Sequence, residues 1–171
     1  MNRRAVLRTV GTGLAALGGG CLGGGGEVVV SVQRDVHVDP QDAWTETDIR
    51  DVSASGGALQ YIVRADVPFD VYFFTDEAAF EQYETYIAGR EPDRTPAGDP
   101  QFSQTALPTE GSDLYEASTT DGGARESLDA TGPYFFAVDH SSYRMENRVE
   151  QYDDPLTAFV DLKVIEKRLP F

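Results

Sequence analysis

Alternation of apolar and polar residues, the pattern of half-buried β-strands, recurs along much of this chain. In Leu59–Ala65 every second side chain is apolar, so one face of this segment is predicted to be buried. The same period of two runs through Leu156–Val164. A valine-rich segment, Val28–Val38, predicts one or two further strands.

Three more segments predict strands in the middle of the chain. Phe69–Phe74 follows a proline and is predicted as a strand with its alternate apolar residues inward and Asp70 outward. Leu114–Ala117 predicts a short strand. Tyr134–Asp139 is apolar on both faces, which is typical of a central strand.

The period changes once, from two to that of a helix, near residues 77–88. Thr75 or Asp76 is suited to cap the helix, and Gly89 to end it. The apolar residues at helical spacing are Phe80, Tyr83 and Ile87. One short helix does not give the repeated strand–helix alternation of an α/β fold.

The pattern therefore predicts an all-β fold, a two-sheet antiparallel β-sandwich of about seven or eight strands, over residues 27–171 as one domain. Phe69–Thr75, Gly132–Asp139 and the last alternating strand resemble the strands of small extracellular jelly-roll and GOLD-type (Golgi dynamics) sandwiches. That resemblance implies a module that binds partners and does no chemistry. No site residue is carried over from it.

The first residues have a different character. Arg3 and Arg4, a spacer, two apolar residues and Arg8 resemble a twin-arginine export signal. Thr9–Leu17 is too short and glycine-rich for a transmembrane helix, which needs about 20 apolar residues. Residues 1–20 are therefore expected to be a cleaved signal peptide, and the resemblance implies the twin-arginine translocase as a partner during export.

Cys21 is the only cysteine, so an intramolecular disulfide is impossible. The small residues before it resemble a lipobox, although Leu17 stands one position further from the cysteine than usual. The resemblance implies a lipid on Cys21, which would anchor the chain to the membrane. A free thiol or an intermolecular disulfide is the alternative. Residues 21–26, with four consecutive glycines, are predicted to be a flexible tether.

Charge points to the solvent in which the domain works. The chain has 29 acidic and 14 basic residues, and without the three arginines of the leader the net charge is −18. Such charge repels itself at low salt, while at molar salt the Debye length falls to about 3 Å. An acidic surface poor in lysine, behind a twin-arginine signal, resembles secreted lipoproteins of halophilic archaea. Nucleic acid is disfavoured as a partner because it requires a basic stripe, and a single cationic partner would require clustered acids.

Two segments carry candidate metal ligands. Asp35, His37 and Asp39 project from one face of a strand and offer a divalent cation two carboxylates and an imidazole. The alternative is a solvated polar face on an edge strand. Asp139 and His140 end the central strand and are the second candidates.

Two serines follow Asp139 and His140, but adjacent residues do not form a catalytic triad. The alternative is that Asp139 and the serines bond to the backbone of their own turn. Asp153-Asp154-Pro155 lacks the glycine of a calcium loop. Trp44 lies in a polar stretch and is either exposed or a core anchor.

The sequence therefore predicts a non-enzymatic lipoprotein on the extracytoplasmic face of the cell membrane, with a binding or scaffolding sandwich. It has two histidines and no recognisable catalytic or phosphate-binding motif, and no cofactor is expected apart from the candidate divalent metal. A carbohydrate- or metal-binding receptor module is the alternative, followed by a hydrolase with a deep cleft.

Overall fold

The computed structural model describes residues 26–52, 56–119, 126–128, 131–144 and 153–167. The predicted signal peptide and Cys21 lie outside these residues. The described elements follow the chain in this order: β1 (Gly26–Val38), β2 (Asp42–Ile49), β3 (Gly57–Ala65), β4 (Asp70–Phe74), α1 (Glu77–Ile87), β5 (Gln104–Thr105), β6 (Leu107–Pro108), β7 (Tyr115–Ser118), β8 (Glu126–Leu128), β9 (Tyr134–His140) and β10 (Leu156–Lys167).

These strands form two antiparallel sheets, which confirms the predicted all-β two-sheet sandwich. The first sheet has the order β1-β10-β3-β7-β6, and β8 also pairs with β3. The second has the order β2-β9-β4-β5. β9 is therefore a central strand, as its apolar sequence predicts, and the described residues contain ten strands because β2, β5, β6 and β8 add to the predicted set.

The main core lies between the two sheets. The alternating residues of Leu59–Ala65 are buried in it, and the ring of Tyr61 from the first sheet packs edge-on against Phe136 of the second, with centroids 5.1 Å apart. β10 contributes every second residue from Leu156 to Val164. Each large apolar side chain that is fully buried contributes roughly 1.5–3 kcal/mol.

A third layer covers the outer face of the second sheet. Helix α1 begins after Asp76, whose carboxylate accepts a hydrogen bond from the Ala78 N–H at 2.8 Å, and Gly89 follows its end with φ +73°. Phe80 and Tyr83 of the helix pack on the outward residues of β4 and β9. The order of layers is therefore sheet, sheet, helix.

The helix layer changes one prediction about β4. Asp70 does lie on the opposite face from Val71 and Phe73, as predicted, yet it is only 4% exposed. The outer face of β4 is covered rather than solvated, since Tyr72 and Phe74 on the same face are also buried. An acidic side chain is thereby held in a protected position.

Candidate functional site

The candidate residues on β1 remain at the surface. His37 Nε2 lies 3.5 Å from Asp39 Oδ1, and the two side chains are 61% and 75% exposed. The other ring nitrogen of His37 lies 3.4 Å from the Thr157 hydroxyl, and Asp35 is exposed on the same strand. Solvent competes for both groups here, so this arrangement has the character of a solvated strand face.

Asp139 and His140, by contrast, are buried. They are consecutive residues of β9 and therefore project to opposite faces of the second sheet. His140 Nε2 lies 2.6 Å from the carbonyl oxygen of Asp154, while Asp139 faces the helix layer. Among the residues that the structure describes, which include all five metal candidates, no three His, Cys, Asp or Glu side chains form a group suited to a metal ion.

The carboxylate of Asp139 is held by donors from two directions. The Tyr83 hydroxyl of α1 donates to Oδ2 at 2.7 Å. Ser141 donates to Oδ1 from its N–H at 3.1 Å, and its hydroxyl lies 2.9–3.0 Å from both carboxylate oxygens. Ser141 Oγ also accepts the Tyr143 N–H at 3.2 Å, so Asp139 and Ser141 bond within their own turn as predicted. Ser142 differs from the prediction, because its N–H and hydroxyl bond to the side chain of Gln41.

Burial sets the ionisation of this group. Asp139 is 1% exposed, and desolvation raises its pKa from 3.8 to about 6, although the hydrogen bonds from Tyr83 and Ser141 lower it in part. The neighbouring Asp70 raises the pKa further by charge repulsion. The same burial, followed by the charge of Asp139, raises the pKa of Tyr83 well above its usual value.

Asp70 connects this cluster to an open cleft. It is the register partner of Asp139 on the adjacent strand, so the two carboxylates lie side by side on the outer face of the second sheet. The cleft, of about 380 Å³, lies between β4, the start of β5 and the loop that contains Ala97. Its lining residues are Asp70, Tyr72, Ala97, Ser103, Gln104, Thr105 and Arg144.

Hydrogen bonds fix the polar lining of this cleft. The Thr105 hydroxyl donates to Asp70 Oδ1 at 2.7 Å, and Gln104 Nε2 donates to the Tyr61 hydroxyl and the Ser118 carbonyl, each at 2.6 Å. Ser103 Oγ accepts the Phe73 N–H at 2.9 Å. Arg144 Nη1 donates to the Thr95 carbonyl at 2.6 Å. A lining held in this way loses little conformational freedom when a ligand binds.

The cleft offers hydrogen-bond donors, acceptors and one charge of each sign. A carboxyl group with a pKa near 6 is also what a general acid or base requires. Asp139, however, is closed off behind the cleft and is not among its lining residues. The arrangement is therefore suited to holding a polar ligand.

Trp44 has an intermediate position. It is partly buried on β2, where its ring packs edge-on against Phe136 with centroids 6.5 Å apart. The guanidinium carbon of Arg34 lies 5.1 Å above its ring. Trp44 is therefore an anchor at the margin of the core rather than an exposed platform.

The sequence could not locate the cleft, because its residues come from four separate segments. Asp70 is predicted as an outward position of a strand, but Thr105 and Arg144 lie in stretches without a periodic pattern. The sequence feature that could have indicated the helix layer is β9, which has apolar residues on both faces. A strand of this kind needs a second packing layer on the outer face of its sheet.

Comparisons with family models, with curated proteins and with solved structures return no match. No helix within the described ranges has the length and apolarity needed to span a membrane. Function therefore has to be inferred from the geometry and charge of this chain alone.

Proposed function

We propose that the protein is a membrane-anchored, extracytoplasmic lipoprotein whose sandwich binds a polar ligand, without catalysis, in the cleft lined by Asp70, Thr105 and Arg144. The observation that carries this proposal is the fixed lining of the cleft, in which the polar side chains are already held by hydrogen bonds. Pre-ordered polar groups in a concave site are typical of ligand-binding sites.

The position of the cleft agrees with a tethered domain. Gly26, the last residue of the predicted tether, belongs to β1 and pairs with Lys167 at one end of the first sheet. Val38 is at the other end of this 13-residue strand, and a tight turn leads to Asp42. Asp42 pairs with His140, the residue next to Asp139 on β9, and Asp139 is the register partner of the cleft residue Asp70. A strand of this length spans about 40 Å. A lipid on Cys21 would hold the Gly26 end towards the membrane and leave the cleft facing outward.

The anchor is tested in cells by metabolic labelling with a radioactive lipid precursor. We expect the wild-type protein to carry label and to fractionate with membranes, and the Cys21→Ser variant to lose both properties because its sulfur is absent. Equal labelling of the two proteins would contradict the anchor and leave the cleft untouched.

The cleft is tested by blocking it, whatever the chemistry of its ligand. Thermal unfolding of the full-length protein in detergent and molar NaCl is measured against a library of small polar molecules, with wild type and Ala97→Trp. A ligand at 100 times its Kd stabilises a protein by about 2.7 kcal/mol. We expect a stabilising compound for wild type and no stabilisation of Ala97→Trp, since the indole fills the cleft.

The matched control is Ala78→Trp, which places the same side chain on an exposed alanine of α1 outside the cleft. This variant should keep the stabilisation by the ligand. Ligands that stabilise all three proteins equally, or a library without any stabilising compound, would contradict the proposal.

A further inference from the structure

We infer that the cleft takes a neutral, polyhydroxylated ligand of the saccharide class, an inference that rests on the proposed binding function. Its basis is the balance of charge in the cleft, the mixture of donors and acceptors in its lining, and its size.

The charges of the cleft disfavour ions of either sign. An anion would face Asp70, which is 4% exposed and lies beside the equally protected carboxyl group of Asp139. A cation would face the guanidinium of Arg144, and Arg94 is near enough to act with it on the Tyr143 hydroxyl. A ligand without net charge avoids both repulsions.

The lining also requires groups that donate and accept at the same time. A carboxylate only accepts hydrogen bonds and a guanidinium only donates them, whereas a hydroxyl does both. Adjacent hydroxyls on a sugar ring can therefore bond to Asp70 and Arg144 together, and Thr105 and Gln104 provide further polar neighbours. Tyr72, which is buried among Phe74, Tyr83 and Tyr143, is the aromatic residue of the lining.

A zwitterion such as an amino acid also has no net charge, but it is the weaker fit. Its ammonium and carboxylate groups would lose their hydration on entering the cleft. Ion pairs with the protein compensate poorly for the free-energy cost of that lost hydration. Arg144 is exposed, so its attraction for a carboxylate would be screened within about 3 Å at molar salt. A sugar hydroxyl has no charge, so its hydrogen bonds to Asp70 and Arg144 are less sensitive to salt than an ion pair is.

The size of the cleft sets a limit on the ligand. A volume of about 380 Å³ lies at the lower end of the range for small-molecule sites, roughly 300–1,000 Å³. The cleft is open on one side. It is therefore suited to a monosaccharide, a disaccharide or one unit at the end of a longer glycan.

The test is a panel of defined probes in saturation-transfer NMR and calorimetry with the full-length protein in detergent and 2 M NaCl. The neutral probes are glucose, galactose, N-acetylglucosamine and trehalose; the others are the zwitterion serine and the anion glucuronate. We expect at least one neutral sugar to bind, and neither serine nor glucuronate to match it. Its Kd should change by less than about threefold between 0.5 M and 3 M NaCl.

Two substitutions place the binding in the cleft. Arg144→Gln removes an exposed guanidinium without disturbing the core, and Thr105→Val removes the hydroxyl beside Asp70. Each is expected to weaken sugar binding by about tenfold, the effect of losing one hydrogen bond to a charged group. Arg64→Gln is the charge-matched control, because Arg64 pairs with Glu116 on the outer face of the other sheet.

The outcomes test two claims separately: that the ligand is a saccharide, and that it binds in this cleft. Serine or glucuronate binding that Ala97→Trp abolishes, without sugar binding, would overturn the saccharide inference and retain the binding function. Sugar binding that is unchanged in Arg144→Gln, Thr105→Val and Ala97→Trp would overturn the assignment to this cleft. Failure of every probe would overturn the inference, and the library experiment would then decide the proposed function separately.

Discussion

Asp139 is a carboxylic acid held where water scarcely reaches it, on the covered face of a central strand. Its partners are hydroxyls and an N–H from Tyr83 and Ser141, and no cation is among its hydrogen-bond partners in the described residues. Hydroxyl donors stabilise a carboxylate less than a guanidinium does, so burial dominates and the pKa rises.

The first prediction concerns pH and stability. The pKa of Asp139 is raised from 3.8 to about 6 in the folded protein, so the folded state binds this proton more tightly than the unfolded state does. The resulting stability is complete below pH 3.8 and is lost as pH rises through about 6. The difference in unfolding free energy between wild type and Asp139→Asn should therefore change by about 3 kcal/mol between pH 3.5 and 7.5.

Chemical denaturation at constant high salt measures this difference, and comparing the two proteins at each pH cancels the other carboxylates. A difference that stays flat over this pH range would show that Asp139 titrates normally.

The second prediction concerns the donor to Asp139. Tyr83→Phe removes the hydroxyl that lies 2.7 Å from Oδ2 and leaves the ring in place. We expect a loss of about 1–3 kcal/mol in the free energy of unfolding at neutral pH. The pKa of Asp139, followed by carbon-13 NMR of its carboxyl group, should rise because the ionised form loses a donor.

Tyr86→Phe is the control for the same atom change, since Tyr86 packs on Tyr143 and is only partly buried. An effect of the same size in both variants would mean that the Tyr83 hydroxyl has no special role.

At the residue scale, the sequence predicted the hydrogen bonds of Asp139 and did not predict its burial. An aspartate before two serines at the end of a strand predicts a side-chain-bonded turn, and the Ser141 contacts confirm it. The burial of Asp139 depends on packing of α1, whose Tyr83 contacts it, and Asp70 is contacted by Thr105 of β5. The local sequence pattern does not predict this packing, because it depends on tertiary contacts.

Among the elements, the strands with a clean period of two were predictable and the polar or very short ones were not. β2 has the sequence Asp-Ala-Trp-Thr-Glu-Thr-Asp-Ile, and its central residues are mostly polar because it is an edge strand with one side open. β5 and β6 contain two residues each, too few to show any alternation. Pairing with a neighbour defines such strands, and pairing is a property of the tertiary structure.

The third prediction concerns the loop that forms one wall of the cleft. Gly98 has φ +75°, and a Cβ placed there would lie 2.8 Å from the Phe73 carbonyl oxygen and also meet Ser103 Oγ. The next residue, Asp99, donates its N–H to the same carbonyl at 2.7 Å. Gly98→Ala should therefore detach this wall and lower the free energy of unfolding by roughly 2–3 kcal/mol.

Gly111→Ala is the matched control, because Gly111 has φ +76° and nothing within 4 Å of its added Cβ. It bears only the backbone cost of a left-handed conformation, about 1 kcal/mol. Thermal unfolding measures both variants. Equal losses of stability would show that the close contact between the added Cβ and the Phe73 carbonyl does not contribute.

At the scale of the whole molecule, the two-sheet class followed from the sequence because strand period and turn residues are local. The cleft did not, since it requires β4, β5, the Ala97 loop and Arg144 to meet. The net charge of −18 over residues 21–171 is equally visible in the sequence, and its consequence belongs to the folded molecule.

The fourth prediction is that salt stabilises the protein. Screening relieves the repulsion among acidic side chains in the folded state, so the Tm should rise by on the order of 10 °C between 0.1 M and 3 M NaCl. Thermal unfolding in a neutral osmolyte of equal osmolality is the control for solvent exclusion. A Tm that is highest at low salt would contradict adaptation to concentrated salt.

The position of β10 has a consequence for biogenesis. This strand, Leu156–Lys167, lies between β1 and β3, so β1 has no neighbour in the first sheet until residues near 167 have left the ribosome. Strands from opposite parts of the chain must then find each other before either is protected. If the chain is exported as proposed, a polypeptide threaded outward during its synthesis would cross the membrane before β10 can join β1 to β3, whereas one that finishes translation first can complete this sheet before it crosses.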